Sequence, residues 1–380
     1  MSSLVEQVRG VSYKPSDLHD KLNENSVTLL RANNIDDGSI NFDDVVYVDR
    51  KKVSSKQYLQ KGDILICASS GSKNLVGKAA QVDFDGEYTF GAFCKVVRPK
   101  NINTKYLGMY FQSPTYRRII SSLAEGANIN NIKNENIGNL ILNVPDVETI
   151  GEVTEIISNI TSVIRHRKQE LQKLDELIKS RFIEMFGDGK YPLLPVEKIC
   201  SEIVDCPHTT PKYTGELKNP CIRTSEIKKG YIDWTTMKYV SDEEYYDRIS
   251  RLAPYVGDIV YGREGTFGNA AILTEGYKFC LGQRVMLLRP DYTICTSEYL
   301  LRAIISDDVY RQAKAKNNAS TVAHVNVKDV KQFLIPLPPL DLQNQFADFV
   351  RQVDKSKAVV QEALDKAQLL FDSLMQEYFG

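Results

Sequence analysis

The sequence lacks most of what the common functional classes require. No hydrophobic run approaches the roughly 18 residues that a membrane-spanning helix needs, and the opening MSSLVEQVRG has no apolar core of an export signal. The seven cysteines are scattered without a C-x-x-C pair. The four histidines, His19, His166, His208 and His324, share no ligand spacing. Reduced thiols, a cytoplasmic location and no bound metal are therefore expected. GREGTFG (262–268) is glycine-rich but fits neither G-x-G-x-x-G nor G-x-x-x-x-G-K-[ST]. LPPL (337–340) lacks the polar residue and the aromatic of an N/D-P-P-Y methyltransferase motif, and no Asp is followed by a close E-x-K of a nuclease. The chain is expected to be no enzyme. A basic excess is missing too: 48 Lys and Arg against 49 Asp and Glu give a net charge of −1. Any polyanion must then be held by local clusters rather than by the charge of the whole chain.

What the sequence has is itself, twice. At 380 residues it exceeds what one hydrophobic core usually organises. LNVPDVETIGEVTEII (142–157) and IPLPPLDLQNQFADFV (335–350) align at an offset of 193, as do Glu184-Met185-Phe186-Gly187 and Glu377-Tyr378-Phe379-Gly380. KGDILICASSG (61–71) matches VGDIVYGREGT (256–266), and FGAFCKVVRP (90–99) matches LGQRVMLLRP (281–290). Leu30-Arg31 falls on Ile222-Arg223, and Pro15 on Pro207. Two repeats, 1–187 and 188–380, each a globular head followed by a helix, are predicted. The heads mix short β-type runs, DILICAS, AFCKVVRP, DIVYG and RVMLLRP, with helical stretches in no regular alternation. That pattern predicts an α+β fold.

The two helices read as a coiled coil. In the first, Ile150, Ile157, Ile164, Leu171, Ile178 and Met185 recur every seven residues, with Val153, Ile160 and Leu174 on a second seam that Arg167 and Arg181 interrupt. In the second, Val350, Leu364, Phe371 and Tyr378 pair with Phe346, Val353, Val360, Ala367 and Leu374. Pro145 and Pro338-Pro339 set the starts, and Gly187 and Gly380 the ends. A heptad pattern sustained this long predicts an antiparallel pairing of the chain's own helices, with a head at each end and a pseudo-twofold axis between them. Such an object is a ruler, suited to a target with two half-sites, such as double-stranded DNA. The domain boundaries expected are 1–145 and 188–338 for the heads, and 146–187 and 339–380 for the spacer helices. The leftover apolar face, Ile156, Val163, Leu177, Phe182, Ile183, Phe349, Val359 and Leu370, is expected to cover partners.

The order of these pieces resembles the specificity subunit of bacterial type I restriction–modification systems, over essentially the whole chain. IPLPPLDLQNQFADFV, DSLMQEYFG, ELIKSRFIEMFGD, VDCPHTTPKYTG and GREGTFGNAAI carry the resemblance together with the matched LGQRVMLLRP and FGAFCKVVRP. The opener VPDVETIGEV departs from the proline- and glutamine-rich form of the second. The resemblance implies two target recognition domains, each reading one half of an interrupted, asymmetric DNA site, with the helices setting the unread spacer. It implies docking to two methyltransferase subunits and, through them, to restriction/translocase subunits. S-adenosylmethionine, ATP and magnesium would then be used by those partners, with no cofactor bound here.

Base edges are read by polar side chains on exposed loops, and phosphates by cations and backbone amides. The candidates in the first head are Lys14, Arg31, Asn33, Asn34, Ser70, Ser72, Lys73, Asn128, Asn130, Asn131 and Lys133. In the second they are His208, Thr209, Thr210, Arg223, Thr224, Arg263, Thr266, Lys316, Asn317, Asn318 and His324. Gly-rich turns, structural arginines and solvated Asn loops are the plain alternatives for each. The rival reading of the whole is a coiled-coil scaffold with two protein-binding heads and no base-specific readout.

Overall fold

Each β-type run forms a strand where the repeat places it. The computed structural model describes residues 1–380 apart from 37, 73–74, 124–129, 266–267 and 317–323, and the backbone but not the side chain of Asn130. Among the described residues, contacts divide the chain into two units, Met1–Lys168 with Glu362–Gly380, and Gln169–Gln361. The units are not the sequence repeats. Each takes one head, the near part of its own helix and part of the helix that belongs to the other repeat.

In the first unit Ile64–Cys67 lies between Cys94–Pro99 and Ala79–Gln81, with Val5–Arg9 on the far side of Cys94–Pro99, all antiparallel. The second unit repeats that order with Cys200–Asp205, Val285–Pro290, Ile259–Gly262 and Ala270–Ile272. A second sheet in each head contains one parallel pair: Tyr88–Phe90 beside Ser26–Leu30, and Cys280–Leu281 beside Asn219–Ile222. The GD of KGDIL and VGDIV supplies a turn and an anchor. Gly62 and Gly257 turn the chain at φ +94° and +91°, a region open to glycine, and the next residue anchors an arginine. Arg98 Nε and Nη2 donate to Asp63 at 2.9 and 2.8 Å, and Arg289 donates to Asp258 at 2.8 Å through both nitrogens. The aspartates are 1% exposed, so each bidentate pair is a sheltered clasp across its sheet.

The helical stretch of the first head breaks at a proline. Thr104–Gln112 stops at Ser113, ahead of Pro114–Leu123, because a residue before proline avoids helical angles. Asn103 and Thr296 cap the equivalent helices Thr104–Gln112 and Ser297–Ile304.

The long helices are Val147–Phe186 and Leu340–Phe379, 40 residues each and so about 60 Å long. The predicted seams are buried or half-buried. In the first unit Ile150, Val153 and Ile157 share a core with Met375 and Phe379. In the second Ile178 and Phe186 share one with Phe346, Val350 and Val353. Lys357 Nζ meets Asp175 at 2.6 Å between the two helices. Within each unit, then, the start of one helix packs beside the end of the other.

The helix starts differ. Asp146 caps the first through the amide and hydroxyl of Thr149, and these bonds hold its carboxyl below the usual aspartate range. The second is tied down by Gln343, which stands where the first repeat has Ile150. Its amide is fully buried, donates to Ile294 O (2.9 Å) and Pro338 O (2.8 Å), and accepts from Thr296 N (2.9 Å). The glutamine of the second opener is thus a bolt between helix and head. Of the leftover apolar face, Phe182 and Phe349 pack on the core of their own unit, whereas Ile156, Val163, Leu177, Ile183, Val359 and Leu370 are exposed.

Candidate nucleic-acid interface

The second sheet's parallel pair leads into one turn in each head, and around that turn distant candidate loops meet. In the first unit the N–H of Ala68 donates to Phe93 O at 2.9 Å, and Ala68 O accepts from Ile132 N at 2.8 Å. In the second, Arg263 occupies that place: its N–H donates to Arg284 O at 3.0 Å and its carbonyl accepts from Val325 N at 2.9 Å. One backbone pattern therefore joins, twice, the end of the DILIC/DIVYG strand, the turn before the VVRP/LLRP strand, and the residue after the Asn-containing loop.

Apart from the exposed ring of Phe93, the described residues on this rim are mostly polar, and they differ between the units. In the first, Ser69 and Ser70 pair with Asn131 and Asn130, Ser72 is exposed and donates its N–H to Ser70 Oγ, and Lys133 is exposed with its N–H on Asn136. In the second, Glu264 bridges His324, Gln283 Nε2 donates to Thr210 Oγ1 at 3.1 Å, and exposed His208 stands 3.4 Å from Asp205. Thr209 accepts from Arg248, and Thr224 lies beside Gly262.

Several candidates prove to be internal ties. Asn34 is fully buried, and its Oδ1 accepts from Arg31 N at 2.8 Å to close the loop. Arg31 and Asn33 both donate to Asp44, at 2.8 and 2.9 Å. Arg223 is gripped by Glu226, and Arg263 is 5% exposed with Nη2 on Asp205 at 2.7 Å. Asn34 and Arg263 have essentially no surface to offer a ligand. Burial opposes ionisation of Glu226, but hydrogen bonds from Arg223, Ser225 and Thr236 outweigh it and hold the carboxyl below its ordinary 4.5. Lys14 and Lys316 are exposed, Lys14 at the start of the short turn Pro15–Asp17 and Lys316 at the end of the helix Asp307–Lys316. Lys73, Asn128, Thr266, Asn317 and Asn318 lie outside the described residues.

Sequence reasoning missed Phe93, Arg284 and Gln283 on the turn, and the carboxylates Asp44, Asp205 and Glu226 that hold the arginines. The turn carried a signal, since FGAFC and LGQRV align, but no periodicity marks a turn residue as exposed. Glu226 lies only three residues from Arg223, but Asp44 and Asp205 lie 13 and 58 residues from Arg31 and Arg263, and nothing local announces those two pairs.

Comparisons with known proteins give the arrangement a context. A model of the family described as the type I restriction modification DNA specificity domain matches residues 14–176 and again 215–367. The specificity subunit of the type I restriction enzyme EcoKI from Escherichia coli (strain K12) is 26% identical over 417 residues, spanning 100% of this chain and 87% of the relative. The StySPI specificity subunit of Salmonella potsdam is 34% identical over 180 residues, 47% of this chain and 39% of the relative. Among solved structures, the type I restriction–modification S subunit from M. genitalium aligns at a TM-score of 0.55 with 13% identity, covering 100% of this chain and 94% of that one. A chain from a structure concerning complex assembly and conformational transition of the type I R-M system aligns at 0.51 with 17% identity, covering 99% and 97%. These two share the fold. With the family's domain matched twice along its length, the chain belongs to the type I restriction–modification specificity subunit family.

Proposed function

We propose that this chain is the DNA sequence-recognition subunit of a type I restriction–modification complex, each head reading one half of a bipartite, asymmetric site. The observation that carries the reading is the duplicated rim. The same backbone bonds gather three loops in each unit, while the side chains they display differ. A common frame that displays unlike side chains suits two unlike half-sites.

In this reading the long helices pair along their length as an antiparallel coiled coil and set the unread spacer. The cores shared by the start of one helix and the end of the other, within each unit, support it. The exposed apolar residues Ile156, Val163, Leu177, Ile183, Val359 and Leu370 dock two methyltransferase subunits, which in turn hold the restriction/translocase subunits. The chain itself carries out no chemistry and binds no cofactor; S-adenosylmethionine, ATP and magnesium act in the partners.

The test is selection from a random duplex library by the chain assembled with its methyltransferase subunit, followed by sequencing. Enrichment of two unlike motifs at a fixed gap is expected. A protein-binding scaffold would enrich no motif.

A further inference from the structure

The turn that organises each rim carries one outward side chain, and its chemistry differs between the heads. In the first head it is Phe93, 72% exposed, an unusual place for a bare phenyl ring between Gly91-Ala92 and the buried Cys94. Its carbonyl is fixed by two amides, Ala68 N at 2.9 Å and Ser69 N at 3.0 Å. In the second head the aligned residue is Arg284, whose side chain is 59% exposed.

Arg284 is held hard. It has φ +64°, and among the described residues no other non-glycine residue has a positive φ. Such a conformation costs a long side chain about 1 kcal/mol or more and persists only where the surroundings enforce it. Here its N–H donates to Cys206 Sγ at 3.1 Å and its carbonyl accepts from Arg263 N at 3.0 Å. Glu264 Oε2 meets Nε at 2.5 Å. An ion pair through Nε leaves Nη1 and Nη2 as the far edge of the guanidinium. Those two donors are spaced to match the two acceptors, O6 and N7, that guanine shows in the major groove.

We propose that Phe93 and Arg284 are specificity-determining residues, one for each half-site. Phe93 makes an apolar contact with the methyl group of a thymine, the one apolar group that base edges show in the major groove. Arg284 donates to the O6 and N7 of a guanine, with Glu264 as its positioning residue. The fixed backbones set where both side chains emerge, and Glu264 also holds the Arg284 guanidinium, so less freedom is lost on contact. The inference rests on the reading of the heads as DNA-recognition domains and adds to it the atoms read.

The test uses Phe93→Ala and Arg284→Asn in the full chain assembled with its methyltransferase subunit, with asparagine chosen because it tolerates a positive φ. The random-duplex selection is repeated for each variant, and melting temperatures check that both are folded. Phe93→Ala should lose a thymine preference at one position of one half-site. Arg284→Asn should lose a guanine preference at one position of the other, by about tenfold or more. All remaining positions keep their preferences. Unchanged motifs, or an equal weakening at every position, would overturn the assignment. If the wild-type complex enriches no motif, it is the DNA-recognition reading itself that fails.

Discussion

The ring of Phe379, next to last in the chain, lies 5.0 Å from the ring of Tyr106 in the first head. Its counterpart Phe186, at the end of the first long helix, lies 5.0 Å from Tyr299 in the second head. Both tyrosines are buried and use their hydroxyls on a backbone carbonyl, Tyr106 on Asn143 and Tyr299 on Pro336. The repeated MFG and YFG endings therefore act as plugs, each helix closing the head that belongs to the other repeat.

Phe379→Ala should cost about 3–5 kcal/mol of stability, the usual loss for a buried phenylalanine. Hydrogen exchange locates the effect. Amides of Thr104–Gln112 should lose protection, while those of the matching helix Ser297–Ile304 keep theirs. An even loss across both heads would contradict the pairing.

Glu226→Gln should expose how the second head fastens its Arg223. The carboxyl is fully buried and held below 4.5 by its bonds to Arg223, Ser225 and Thr236. A depressed carboxyl contributes stability that is complete above pH 4.5 and lost as pH falls through the folded value. The variant should therefore be less stable than the native chain by about 2–3 kcal/mol at pH 7, and the gap should close in denaturant titrations as pH drops below 4.5. A gap of constant size down to pH 3 would show that the charge has no part in it.

With 48 basic and 49 acidic side chains and no excess of positive charge, the chain alone is expected to gain only modestly from counterion release on DNA. Fluorescence titration should give weak, salt-sensitive binding for the chain alone and tight binding once the methyltransferase subunit is added. Equal affinity in the two cases would remove the claim that the partner completes the clamp.

The repeat, the heptad seams and the α+β character were all legible in the sequence, because periodicity and self-similarity survive without coordinates. Ile150, Val153, Ile157 and Ile178 are buried as their spacing predicts. The site was less legible. Arg31, Asn34, Arg223 and Arg263 have the residue types of base readers, yet their side chains are taken by Asp44, an Arg31 amide, Glu226 and Asp205. Type alone does not tell a reader from a clasp, whether the partner sits three residues away, as for Asn34 and Arg223, or arrives from another loop, as for Arg31 and Arg263. The cysteines make the same point. Scattered in sequence, Cys67 and Cys94 are paired across neighbouring strands of one sheet, and Cys221 and Cys280 across neighbouring strands of another, all buried.

The distance between the two patches of one duplex that the heads are proposed to read is set, in the same proposal, by the paired helices. This dependence is tested most directly by inserting seven matched residues in each long helix, after Lys168 and after Gln361, and sequencing the duplexes the assembled complex selects. Seven residues add about 10.5 Å at 1.5 Å each, or about three base pairs at 3.4 Å each. The same two half-sites, with their gap widened by about three base pairs, are expected. The same half-sites at an unchanged gap would contradict it.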